Sequence, residues 1–432
     1  MRLSYGISNL GRRRREAVVC RRCLLSGLSL WQVVMTVELS TKDMSLMQVS
    51  EIPTGQQFKT TRRRDSVLFV SVNTFYGGGE KHVENLARLF KDSCGLCAIV
   101  FHPTLARNLR AQGVQVYQLS LFPESARALQ VLQASLMLPL IILHHKISVV
   151  QVTGTMEVLL LPASRALGCA AISIRHLAPF FGDGAWYRRL RRLLIETVYS
   201  IGLLFANRVI CVSDAVGTGM RRMTANRRIA VIPNWVPVVP PRKPRVVNKE
   251  TLCIVFVGRL ERHKGLHLLL EALRPLTGYE LKVLGDGSER CSLEHLATGL
   301  NVQFCGFQSN PSNYYRDADI FIMPSLGPEG LPLVTIEAMS YGLPCILSDL
   351  PVHREMSSND AAILFTCGNP RDLRSQVLRL LRSESERRKY GEAAYEAVLK
   401  RYSPDVARAH YLSVFGLSDA PQREPEHARQ RL

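Results

Sequence analysis

The chain repeats one unit: a short, mostly apolar run, a turn rich in glycine or proline, and a longer stretch of helix formers. The runs lie at 67–72, 97–101, 114–119, 149–152, 170–174 and 209–212, and again at 252–257, 281–284, 302–304, 320–323 and 345–347. An apolar run without alternation is the pattern of a strand buried on both faces. Parallel sheets need such strands, because their crossover helices cover both sides. Helical stretches at 81–90, 104–112, 124–145, 183–205, 266–273, 333–341 and 371–400 supply the crossovers. The alternation predicts an α/β fold of doubly wound, Rossmann-like sheets, with ligands at the carboxyl ends of the strands. At 432 residues the chain is long for one such domain and suits two. The Pro- and charge-rich stretch at 237–250 reads as the linker. The expected organisation is residues 1–64 as a basic, disordered extension and 65–236 as a first domain. The linker then leads to 251–401 as a second domain, 402–416 as a helix crossing back to the first, and 417–432 as a disordered tail.

The most informative stretch is 317–349. The run at 320–323 is followed by Gly327-Pro328-Glu329-Gly330-Leu331-Pro332, and a helix from 333 is stopped by Gly342-Leu343-Pro344. A loop feeding a helix N-terminus presents backbone N–H groups and the positive end of the macrodipole to phosphate. Glu329 and Glu337 frame that loop. Carboxylates repel phosphate and suit hydroxyls, as on a sugar or ribose. For an arbitrary pair at this spacing, two surface glutamates is the ordinary reading. Three other strand ends carry chemistry. Gly77-Gly78-Gly79-Glu80 after the first run forms a glycine turn that is neither a dinucleotide-binding fingerprint nor a Walker A motif. Arg259 and Lys264 follow the run at 252–257 and offer a guanidinium fork and a point charge for a diphosphate. Arg175-His176 directly follows the run at 170–174 and puts His176 at the strand's carboxyl end, although a lone histidine is more often structural.

These pieces together resemble the family 4 type of retaining glycosyltransferases (glycosyl transferases group 1), which have the GT-B fold of two Rossmann-like domains facing a cleft. The resemblance runs over about 67–415 and rests best on Glu329-x7-Glu337 and on Gly258-Arg259-Leu260…Lys264-Gly265. It implies that Glu329 contacts the transferred sugar and Glu337 the ribose. Arg259 and Lys264, with the amides of Gly330 and Leu331, would bind the donor diphosphate. Gly77 and Gly78 would lie beside diphosphate and acceptor, Gly285 near the nucleotide, and His176 near the donor sugar, the last matched by location alone. The implied catalytic set is Glu329, His176, Arg259 and Lys264. The reaction is hexosyl transfer from a nucleotide-sugar to an acceptor hydroxyl on a glycan or a lipid-linked carrier. The implied setting is assembly of lipopolysaccharide, capsule or exopolysaccharide, on the cytoplasmic side at the inner face of the cell membrane. No cofactor and no metal are expected, because cationic side chains offset the leaving group's charge.

The net charge of +19 favours anionic partners. Residues 1–64 hold twelve Lys/Arg against four Asp/Glu, so +8 of that total. Their apolar patch at 24–35 is too short and too polar to span a bilayer. An over-long start site and a membrane-surface arm are both open readings of the segment. Arg188, Arg189, Arg191 and Arg192 lie on one side of an amphipathic stretch beginning at Trp186, which suits an anionic membrane or an ordinary solvated helix face. The eleven cysteines show no zinc spacing and read as free thiols. No nucleic-acid partner is expected. The competing classes are a sugar-nucleotide epimerase of the same fold, a basic RNA- or membrane-binding protein, and a catalytically dead scaffold.

Overall fold

The computed structural model describes residues 66–72, 76–119, 127–177, 186–223, 229–240 and 251–417, without the side chains at 127, 186–192, 194, 222 and 223. The expectations for residues 1–64, for most of the linker, for the C-terminal tail and for the side chains of Arg188, Arg189, Arg191 and Arg192 fall outside that set.

The first half alternates as its sequence implies. Strands β1 (Ser66–Ser71), β2 (Gly95–Val100), β3 (Gln115–Gln118), β4 (Val149–Thr153), β5 (Ala170–Arg175), β6 (Arg208–Cys211) and β7 (Ile229–Val231) are joined through helices. These are α1 (Gly78–Phe90), α2 (Pro103–Arg110), α3 (Arg127–His145), α4 (Leu161–Ala166), α5 (Trp186–Leu203) and α6 (Asp214–Met223). The strands pair in parallel in the order β3-β2-β1-β4-β5-β6-β7.

The second half repeats the plan. Its strands are β8 (Leu252–Val257), β9 (Tyr279–Leu284), β10 (Val302–Gly306), β11 (Ile320–Met323), β12 (Cys345–Ser348) and β13 (Ile363–Phe365), all parallel in the order β10-β9-β8-β11-β12-β13. The helices are α7 (Leu266–Leu273), α8 (Arg290–Leu296), α9 (Ser312–Asp317), α10 (Leu333–Ser340), α11 (Pro351–Met356), α12 (Pro370–Arg382), α13 (Glu384–Arg401) and α14 (Pro404–Phe415). In both sheets the order reverses beside the first strand, at β1/β4 and at β8/β11, which opens a crevice at the carboxyl ends of the strands.

Alternate residues of the second-half strands enter different cores. Ile254, Phe256, Ile320, Ile322 and Ile346 pack with Leu269, Leu273 and Val377. Cys253, Val255, Phe321, Met323, Cys345 and Leu347 join a second core that continues into the first half. Each fully buried Leu, Ile or Phe contributes about 1.5–3 kcal/mol. A polar residue on either face would lose that, which is why these runs do not alternate.

Several elements differ from their sequence outlines. Helix α1 starts at Gly78, three residues before the expected 81, because the Glu80 carboxylate accepts the Gly77 N–H at 2.9 Å and caps the first turn. Helices α8, α9 and α11 and strand β13 were not among the expected elements; α8 buries only Leu293. Helix α3 is two-sided. Val131, Ala134, Leu138, Ile141 and Ile142 are buried, whereas Leu129, Leu132, Leu136, Leu140 and Leu143 stand 43–67% exposed. It is the one helix among the described residues long and apolar enough to cross a membrane. Helix α14 lies on α1. Arg408 donates to the Leu89 carbonyl (2.6 Å) and Ser93 Oγ (2.7 Å), and Phe415 stacks on Phe90 at 5.3 Å.

Candidate functional site

The site grows from the end of β11. Gly265 adopts φ +73°, and a Cβ there would run into the Pro324 carbonyl, so only glycine lets the turn before α7 come this close to β11. That approach sets Lys264 against the loop after β11. Lys264 Nζ lies 2.7 Å from Glu329 Oε1, and Ser325 Oγ donates to the same oxygen at 2.7 Å. The pair is largely withdrawn from water, with side chains 14% and 7% exposed. Burial pushes the Glu329 carboxyl up, but the Lys264 ammonium and the two hydrogen bonds outweigh it and hold it below its usual value. Glu329 is therefore a carboxylate at neutral pH, with Oε2 carrying neither of these contacts. The loop ends at the N-terminus of α10, which no side chain caps.

Glu337 lies within α10 and its chemistry is the reverse. Tyr315 donates its hydroxyl to Oε2 at 3.1 Å, and burial raises the carboxyl above its usual value despite that bond and the Lys81 charge on α1. Arg259 is 59% exposed and pairs with Glu261 at 2.6 Å, not with the Lys264–Glu329 pair. His263 lies between these groups. Burial lowers its pKa first, and the charges of Lys264, Glu261, Glu329 and Arg259 all reach it. Gly285, at φ +135°, packs where a Cβ would strike the Gly258 carbonyl, and its N–H donates to the Gly306 carbonyl at 2.8 Å. The ends of β8, β9 and β10 thus converge on backbone alone.

The first half supplies the opposing wall. His176 follows β5, and its carbonyl oxygen occupies the place a Cβ on Gly330 would need. Ser213 Oγ donates to the Gly330 carbonyl at 2.8 Å, while accepting the Val216 N–H at 3.2 Å as the cap of α6. Asn234 Nδ2 donates to the next carbonyl, Leu331, at 2.6 Å. Glu355 on α11 accepts the Asp214 N–H at 2.9 Å. Burial, then the Arg175 charge, pulls the His176 imidazole down to about 4, so it is neutral, and its buried Nε2 has no partner among the described residues. Gly77 caps α1, and among the described residues nothing lies within 4 Å of where a Cβ on Gly78 would sit.

The structure thus brings Lys264, Glu329, Gly330, Leu331 and the His176 backbone into one cluster, with Glu337 further along α10. Arg259 and Gly285 sit at neighbouring strand ends, and Gly77 and Gly78 at the N-terminus of α1. Sequence reasoning missed the loop contacts of Ser325, Tyr315, Ser213 and Asn234. Each is recognisable only by its partner across a loop or from the other half. Among the described residues no three His, Cys, Asp or Glu side chains gather as a metal site would require.

Two parallel Rossmann-like sheets with flanking helices, meeting around a glutamate loop, define the GT-B class of folds. A solved structure of Anabaena Alr3699/HepE in complex with UDP shares it, with a TM-score of 0.70 and 18% identity over 81% of this chain and 99% of that one. Residues 76–239 match Glycosyltransferase Family 4 and residues 241–397 match Glycosyl transferases group 1, and the chain belongs to this family. The lipopolysaccharide core biosynthesis glycosyltransferase LpsE of Rhizobium meliloti is 26% identical over 216 residues, 48% of this chain and 63% of that protein. The phosphatidyl-myo-inositol mannosyltransferase of Mycobacterium leprae is 30% identical over 172 residues, 38% of this chain and 46% of that protein. The matched stretches span less than two thirds of these relatives.

Proposed function

We propose that this chain is a retaining glycosyltransferase that moves a sugar from a nucleotide-sugar to an acceptor hydroxyl in cell-surface glycan assembly. The observation that carries the reading is the buried Lys264–Glu329 pair at the uncapped N-terminus of α10. An ammonium beside free helix N–H groups favours a diphosphate. Glu329, ionised and with Oε2 outside its two contacts, accepts from a hydroxyl of the donor sugar. Glu337 accepts from the ribose. Arg259, exposed and held only by Glu261, swings to the diphosphate. Neutral His176, with an orphaned Nε2, serves a sugar hydroxyl.

In this mechanism Lys264 and the loop amides bind the leaving diphosphate more strongly as its charge develops. Glu329 is tied to Lys264 and Ser325 and so makes a poor covalent nucleophile. The acceptor hydroxyl therefore attacks from the face the diphosphate leaves, and a donor phosphate oxygen takes its proton. The test is thermal shift and hydrolysis against UDP-, GDP- and ADP-sugars in EDTA, for wild type and Glu329→Ala. One donor that stabilises the wild type, and is turned over by it alone, is the expected result. A panel with no response at all overturns the donor reading.

An anionic membrane is the proposed setting of the acceptor. Besides the leucine face of α3, Ile201 on α5 and Leu204 and Phe205 just after it are exposed, and α5 carries four arginines early in its sequence. Apolar exposure on this scale together with basic residues fits a phosphatidylglycerol surface. Flotation with phosphatidylglycerol vesicles is expected to fail in Leu136→Glu/Leu140→Glu. Flotation equal to the wild type overturns the membrane setting.

A further inference from the structure

His82, in the second turn of α1, is wholly buried and uses both ring nitrogens. Nδ1 lies 2.9 Å from Asn234 Oδ1, and Nε2 lies 3.0 Å from the Tyr411 hydroxyl on α14. The direction of this chain follows from its last link. Asn234 commits its amide nitrogen to the Leu331 carbonyl at 2.6 Å, so Oδ1 faces His82 and accepts. The proton therefore sits on Nδ1, and the bare Nε2 accepts from Tyr411. Burial, together with the neighbouring His176, keeps the ring neutral, as this arrangement requires.

The chain Tyr411→His82→Asn234→Leu331 joins α14, α1, the segment after β7, and the loop that carries Glu329. Its end point is a loop carbonyl rather than a strand or helix partner. The adjacent Gly330 carbonyl is held by Ser213, so two successive loop carbonyls are fixed from the first half. The His82 ring also meets His176 edge-on at 4.8 Å and Trp235 at 5.0 Å. A histidine that only filled space could be replaced by a leucine. Here such a change would strand two buried polar groups, Asn234 Oδ1 and the Tyr411 hydroxyl.

We propose that His82 is a positioning residue: through Asn234 it sets the Glu329–Leu331 loop from the first half, with the docked α14 holding the far end of the chain. The glutamate site is then built correctly only when α14 is seated on α1. The activity part of this inference rests on the donor-site reading above, whereas its structural part does not.

The test uses the two amide mimics of histidine in the full chain. In His82→Asn the side-chain nitrogen replaces Nδ1 and keeps the arm to Asn234. In His82→Gln the side chain reaches the place of Nε2, keeping Tyr411 and losing Asn234. Amide hydrogen exchange of the peptide over 325–334, without donor, is expected to rise several-fold in His82→Gln and clearly less in His82→Asn, which loses Tyr411 but still holds Asn234, although both lose stability. With the donor, kcat of His82→Gln is expected to fall by about 10–100-fold with little change in KM, the scale of a small misplacement of reacting groups. A structural role alone would move exchange and kcat equally in both variants, and that result overturns the proposal. If neither variant folds, Tyr411→Phe, which removes one oxygen, is expected to raise exchange in the same peptide, and an unchanged peptide overturns it. A wild type that turns over no donor sinks the donor reading while the exchange experiment still decides the wiring.

Discussion

The two halves share a sheet plan but arm their strand ends differently. The second half gathers charge: Lys264 against Glu329, Arg259 against Glu261, and Glu337 beneath a tyrosine hydroxyl. The first half answers with neutral groups: a depressed His176, a neutral His82, serine and asparagine side chains on loop carbonyls, and a glycine turn. On the proposed reading, one plan makes a wall for an anion and a wall for a neutral hydroxyl compound. Each half also depends on the other, because Gly330 belongs to the charged wall and is held by the neutral one.

The largest break in this contrast is expected from Lys264→Ala. It removes the ammonium nearest the proposed diphosphate and leaves Glu329 buried and unpaired. Loss of one preorganised charge-stabilising group costs about 10²–10³ in kcat. Loss of one partner of a buried pair costs about 3–5 kcal/mol of stability. Adding Glu329→Gln separates the two effects. The double variant is expected to regain most of its urea midpoint while donor turnover stays lost. Turnover by Lys264→Ala near the wild-type rate would remove the charged wall from the mechanism.

A finer test uses the two acids of the charged wall, which have opposite linkage. Glu329 is depressed in the folded state, so its ionised form stabilises above its unfolded pKa, and that contribution is lost as pH falls through the folded value. Glu337 is raised, so its protonated form stabilises at low pH, and that contribution is lost as pH rises through the folded value. Urea midpoints between pH 4 and 7 are therefore expected to diverge. Glu329→Gln is less stable than wild type at pH 7, and the gap narrows on acidification. Glu337→Gln is more stable at pH 7, and its advantage also fades on acidification. The same sign for both variants at pH 7 would mean the acids do not sit in contrasting environments.

The positions of the charged wall were legible in the sequence, whereas of the neutral wall only His176 and the Gly77-Gly78 turn were, for a physical reason. Phosphate chemistry needs cations and helix N-termini at strand ends, so Lys264, Glu329 and Gly330 sit next to turn residues that a periodicity reading already marks. The grip on the loop is made by Ser213, Asn234 and His82. These lie in or beside elements whose local pattern asks only for burial or a cap. Ser213 was readable as the cap of α6, but nothing local says that the same hydroxyl reaches a carbonyl 117 residues away. Helix α14 was legible as an element, but its role as anchor of Tyr411 depends on packing that only the folded chain brings together. The two faces of α3 were not separable in the sequence because Leu136–Leu143 is nearly unbroken, and only the packing divides the buried face from the open one.

The smallest expected effect belongs to Arg259. Its pair with Glu261 is exposed, and such pairs contribute about 0–1 kcal/mol, so Arg259→Ala is expected to leave the melting midpoint within error. Its consequence should appear only with donor present. A guanidinium that leaves Glu261 for the diphosphate contributes to ground-state and transition-state binding alike, which raises donor KM on its loss more than it lowers kcat. Titration of the nucleoside diphosphate alone gives the same answer without turnover, with weaker affinity expected in Arg259→Ala and unchanged affinity in Glu261→Ala or a slight gain. Unaltered affinity in Arg259→Ala would confine the charged wall to Lys264 and the α10 amides. The contrast between the halves would then rest on one buried pair.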